Sequence, residues 1–130
     1  MKKIQLIPAL LMAFLMIGQL AVASETPSNK KKVITMPENV KKVIDNSCFG
    51  CHNTDSRNDD AKEELDFKTL DQLTATQKLG ALKHIRETIE ENEMPPKKFL
   101  EHKPEKALTQ AQKELLINWV KQESTALLKK

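Results

Sequence analysis

Cys48-Phe49-Gly50-Cys51-His52 constrains this chain more than any other stretch. Two cysteines separated by two residues, with histidine directly after the second, form the attachment signature of a c-type haem. Thiols at i and i+3 on a short helical turn can reach the two vinyl groups on one porphyrin edge. The following imidazole then projects over the ring centre, where its neutral nitrogen can bind iron as the proximal axial ligand. Competing readings of the spacing are weaker. A thioredoxin-type redox pair follows a buried strand, whereas the residues before Cys48 have helical periodicity. A structural zinc site takes four ligands, and the chain has 2 cysteines. A disulfide between residues so close in sequence closes too small a loop to stabilise much.

The N-terminus reads as a targeting segment. Lys2 and Lys3 precede a mostly apolar run, Ile4 to Leu20, and Ala21-Val22-Ala23 supplies the small residues of a cleavage site. Pro8, Gly18 and Gln19 interrupt the run and make it short for a membrane span. Export to the periplasm with a cleaved signal peptide, 1–23, is the expectation, and it agrees with a covalent-haem motif, because haem is joined to such apoproteins after export. Removing 23 residues from the 130 leaves 107, a single domain with no transmembrane segment. Loss of Lys2 and Lys3 lowers the formal charge from +3 to +1. That balance gives no reason to expect nucleic acid. Aromatics are scarce, with 4 Phe, 1 Trp and 0 Tyr, as suits a small core whose apolar nucleus comes from a buried cofactor.

Residues 24–34 read as a flexible arm and 35–130 as the folded domain. Thr35 and Glu38 form a capping box, and Val40, Val43 and Ile44 follow at helical spacing, delivering the chain to Cys48. Asn53 to Glu64 is polar and acidic, a surface loop with at most one helical turn, and Leu65 and Phe67 turn inward after it. A second helix starts at Thr74, boxed with Gln77, and buries Leu79, Leu82, Ile85 and Ile89. Gly80 is expected to admit close approach of another element. The helix stops near Asn92, because Met94 precedes Pro95 and is biased away from helical angles.

Pro95-Pro96 is expected to fix an extended loop that holds Met94 as the sixth iron ligand, its thioether being soft and neutral. His84 lies about 100° from the buried stripe and His102 among charged residues, so both read as surface histidines. Lys97, Lys98, Lys103 and Lys106 cluster in the segment after Met94. The last helix starts at Thr109, boxed with Gln112, and buries Ala111, Leu115, Leu116, Trp119 and Val120, with Trp119 against the first helix. Glu123 to Lys130 is expected to fray.

Taken together, Asn46 to His52, Leu65-Asp66-Phe67, Ile89 to Pro95 and Leu115 to Trp119 resemble the haem-binding domain family of bacterial c-type cytochromes. The resemblance spans about Val40 to Val120. It implies an all-α, cytochrome c-like helical domain wrapped around one haem c. That haem is attached through Cys48 and Cys51 and ligated by His52, with Met94 as the distal candidate. The expected role is electron transfer with a redox partner protein rather than catalysis, since two strong axial ligands leave no open position for a substrate. The alternative is a haem-based gas or redox sensor whose distal site is open or readily displaced.

Overall fold

The computed structural model describes residues 32–129. The expected signal peptide, 1–23, and the expected arm up to residue 31 lie outside the described residues, as does Lys130. The described chain is all-helical, with five α-helices: α1 (Glu38–Ser47), α2 (Asp59–Glu64), α3 (Ala75–Glu90), α4 (Lys97–His102) and α5 (Gln110–Leu128). Single 3-10 turns occupy Leu70–Gln72 and Pro104–Lys106. α3 packs chiefly on α5, and α1 crosses α5 beside it.

Each long helix buries the face its periodicity marks. Val40, Val43 and Ile44 of α1 meet Leu82, Ile85 and Ile89 of α3 and Leu116, Trp119 and Val120 of α5 in one core. Leu82 is wholly inaccessible, and burying such a side chain stabilises the fold by about 1.5–3 kcal/mol. Thr74 and Thr109 cap α3 and α5 as expected, each hydroxyl accepting from the Gln N–H three residues on while that Gln side chain accepts from the Thr N–H.

α1 starts differently. Pro37 is its N-cap and no side chain caps it, so the Thr35–Glu38 box does not form. Thr35 is drawn instead onto α5: its N–H donates to Glu123 Oε2 at 2.8 Å and its carbonyl accepts from Trp119 Nε1 at 2.8 Å. Ile34, placed in the arm by its polar neighbours, is buried in the core, and its N–H donates to Asp71 Oδ1 at 2.8 Å. The side chain of Lys78 is 1% exposed. Its Nζ donates to the Lys32 carbonyl and lies 3.5 Å from Asp71 Oδ1, so the ammonium is both bonded and paired. An apolar stripe cannot reveal such a lysine.

Four further expectations are corrected. α5 runs to Leu128 and buries Leu127, so the C-terminal segment is packed rather than frayed; Lys32 Nζ donates to the Leu127 carbonyl at 2.8 Å, supplying an end cap from across the fold. Ala111 is exposed, one position off the buried face. A Cβ at Gly80 would meet nothing within 4 Å, so no element approaches there. The segment after Pro96 is α4 rather than an extended loop; Pro96 serves as its N-cap, where a proline sacrifices no helical hydrogen bond.

Candidate haem-binding cleft

α1 ends where the cysteines begin. The Cys48 and Phe49 N–H groups both donate to the Ile44 carbonyl at 2.8 Å, and those of Cys51 and His52 donate to the Cys48 carbonyl at 3.1 Å. The motif is thus a tight hydrogen-bonded turn continuing the helix. Asn53, a residue the sequence reading passed over, is buried; its Oδ1 accepts from the Asp55 N–H at 2.9 Å, and its amide donates to the Phe49 carbonyl. An Asx turn after the histidine is the signal that marks it.

His52 is buried and its ring is fixed by its neighbours. Nδ1 lies 2.8 Å from the Ala61 carbonyl and 3.2 Å from the Leu65 carbonyl. Carbonyl oxygens only accept, so Nδ1 carries the proton and Nε2 keeps its lone pair. α2 exists to present Ala61: Asn58 caps it by accepting from the Ala61 N–H at 3.1 Å, and acidic Asp59 and Asp60 occupy its first turn, where the helix dipole favours them. Phe67 holds the ring edge-on, with centroids 6.5 Å apart at 87°, and its N–H donates to the His52 carbonyl.

Met94 arrives from the other side through a helix-ending device. Asn92 adopts φ 59° just past α3, its N–H donates to the Ile89 carbonyl at 3.2 Å, and the Glu93 N–H donates to the Thr88 carbonyl at 2.9 Å. This is a Schellman motif with asparagine in the left-handed position. The Met94 N–H donates to the same Thr88 carbonyl at 3.3 Å. α3 thus ends at Glu90 for a reason upstream of the prolines.

The structure brings Cys48, Cys51, His52 and Met94 to one cleft. Ser47, Asn58, Ala61, Pro95, Pro96 and Phe99 complete its walls, and it encloses about 550 Å3 free of protein atoms, open mouth included. A second lobe, sharing Cys48, His52 and Met94, is walled by Leu65, Phe67, Ile85 and Thr88. His84 also lines this lobe, half-exposed, with Nε2 3.1 Å from Glu64 Oε1. It is therefore turned toward the cleft edge rather than free in solvent. His102 is exposed at the end of α4. Burial, followed by the nearby Cys51, pushes the Cys48 thiol up from 9.0 to about 12, so the haem-free thiol stays neutral at physiological pH.

Residues 55–122, just over half of the chain, match the family model described as the haem-binding domain. The chain belongs to the haem-binding domain family. The matched span begins just after His52 and includes Met94 and Trp119. No curated protein and no solved structure matches the chain. In this haem-binding domain no described helix is long and apolar enough to cross a membrane, and no described group of three or more His, Cys, Asp or Glu could hold a metal ion unaided.

The residues present fit a haem. The cleft walls are predominantly apolar, as a porphyrin requires, and two thiols, an imidazole and a thioether border the same space. The unprotonated Nε2 of His52 is the form that binds iron, and its partner nitrogen is oriented as metal-binding histidines usually are.

Proposed function

We propose that this haem-binding protein is a periplasmic monohaem c-type cytochrome that transfers electrons. Cys48 and Cys51 would hold haem c through thioether bonds, and His52 and Met94 would be its axial ligands. When bound, the haem supplies an iron that alternates between Fe(II) and Fe(III). The observation that carries the reading is the pair of backbone carbonyls at His52 Nδ1: they accept its N–H and leave Nε2 as the nitrogen available to ligate, in a cleft that both thiols and Met94 border.

The chain's own contribution is orientation and exclusion of water. α2 and Phe67 stop the imidazole from rotating, the Thr88 carbonyl tethers the Met94 backbone, and Pro95 and Phe99 supply apolar wall. A ligand set held this firmly on both sides favours electron exchange over substrate turnover. Residues 1–23 would be the leader removed on export, which gives the cysteines the compartment in which haem is attached.

Maturation in a host with cytochrome c assembly machinery tests the attachment. Haem should survive acid–acetone extraction and denaturing gels, and the double variant Cys48→Ala, Cys51→Ala should lose it. Haem that stays attached in the double variant, or is extracted from the wild type, would refute the covalent reading.

A further inference from the structure

A second recess lies in the groove between α3 and α5, on residues that line no part of the haem cleft. Leu79 and Val120 form its floor, and Lys83, Arg86, Lys121, Ser124 and Thr125 its walls, around about 690 Å3 free of protein atoms, open mouth included. Three cations and no carboxylate face it. The nearby acids pair along the helix instead: Glu87 Oε1 lies 3.0 Å from Lys83 Nζ, and Glu90 Oε2 lies 3.7 Å from Arg86 Nε.

The second contact is too long for a hydrogen bond, and Arg86 Nε is buried with no partner. Glu90 thus pairs with the guanidinium by charge alone, and with Nε shut away from solvent it is the terminal nitrogens that remain free to donate. Lys121 forms no ion pair among the described residues. Thr125 donates its hydroxyl proton to the Lys121 carbonyl at 2.8 Å, so the hydroxyl left to donate into the groove is that of Ser124. The walls therefore offer ammonium, guanidinium and hydroxyl donors with few acceptors.

Lysines on a solvated helix ordinarily point apart. Here Lys83 and Arg86 of α3 and Lys121 of α5 border one groove, and Lys121 has no acid to offset its charge among the described ion pairs. An oxyanion with two negative charges and several acceptor oxygens supplies the counter-charge that Lys121 lacks and the acceptors that these donors need. We propose that the α3–α5 groove binds a phosphate group, free or carried on a small molecule or lipid headgroup.

The test is a heteronuclear NMR titration of the reduced, haem-loaded mature protein with inorganic phosphate, chloride holding the ionic strength constant. Saturable shifts are expected at the amides of Lys83, Arg86, Lys121, Ser124 and Thr125. Arg86→Gln and Lys121→Gln should each weaken binding by about tenfold, the loss of one charge-assisted hydrogen bond, and Lys42→Gln on α1 should leave it unchanged. Lys121 is exposed, so its variant does not endanger the fold. Glycerol 3-phosphate and vesicles with or without phosphatidic acid identify the carrier: saturable binding sensitive to Lys121→Gln in any of these arms supports the site. Shifts that never saturate, that spread equally to Lys97 and Lys98, or that both variants leave unchanged would reduce the effect to charge screening and overturn the proposal.

Discussion

Asn92 is the residue on which the position of Met94 turns. It is the only non-glycine residue at positive φ among the described residues, at 59°. A side chain with a Cβ costs about 1–2 kcal/mol in that region, and asparagine is among the few that tolerate it. Asn92→Gly removes the steric cost and sacrifices the exposed contact with Lys113, so the two changes should nearly cancel. Asn92→Ala keeps the Cβ and loses both the local tolerance and the Lys113 contact. Its stability should fall about 1 kcal/mol below the Gly variant, and that of Asn92→Val about 2 kcal/mol below. For a domain of this size each kcal/mol moves the midpoint by about 4–8 °C. Thermal unfolding followed by circular dichroism resolves such steps, and urea unfolding at constant slope confirms that stability itself changed. Because the Glu93 and Met94 N–H groups share the Thr88 carbonyl, the Val variant should also admit carbon monoxide to the ferrous haem faster than the Gly variant. Ala and Val variants as stable as Gly would refute the Schellman account of how Met94 is held.

Met94→Ala should abolish the weak far-red sulfur-to-iron band of the ferric protein, lower the reduction potential and open the iron to carbon monoxide, whereas His102→Ala should leave the spectrum unchanged. Wild-type ferrous protein that binds carbon monoxide as fast as the variant would favour the sensor alternative. Lys97 and Lys98 occupy the first turn of α4, where the helix dipole disfavours cations; reversing both charges should flatten the salt dependence of electron transfer to an acidic partner, and an unchanged slope would exclude steering. In the haem-free protein the Cys48 thiol is raised to about 12, so above pH 9 the unfolded chain releases a proton that the folded chain retains. Stability should therefore fall as pH rises from about 9 toward 12, and Cys48→Ser should lessen that fall in a urea titration.

Local chemistry is what the sequence alone determined. The spacing of Cys48, Cys51 and His52 is a property of one turn, the boxes at Thr74 and Thr109 need only three residues of separation, and the apolar faces of α1, α3 and α5 follow from a 3.6-residue period. An asparagine two residues before Met94 could also have been read as the end of α3, but proline chemistry is the louder signal.

Relations between residues far apart in sequence were decided by the tertiary structure. Thr35 could serve α1 or α5 equally well on local grounds; burial of Trp119 decides for α5, because an indole N–H shut away from water needs an acceptor and the Thr35 carbonyl supplies it. Ile34 and Lys78 are buried only because the chain before α1 lies back across α3 and the turn at Asp71. His84 is polar by composition and off the apolar stripe, yet the approach of α2 brings Glu64 beside it and turns it to the cleft edge. His52 carries the same lesson most sharply. Its residue type and place in the motif are local, but its tautomer is set by carbonyls nine and thirteen residues away, because a buried Nδ1–H must find an acceptor and the folding of α2 and of Leu65 after it brings two.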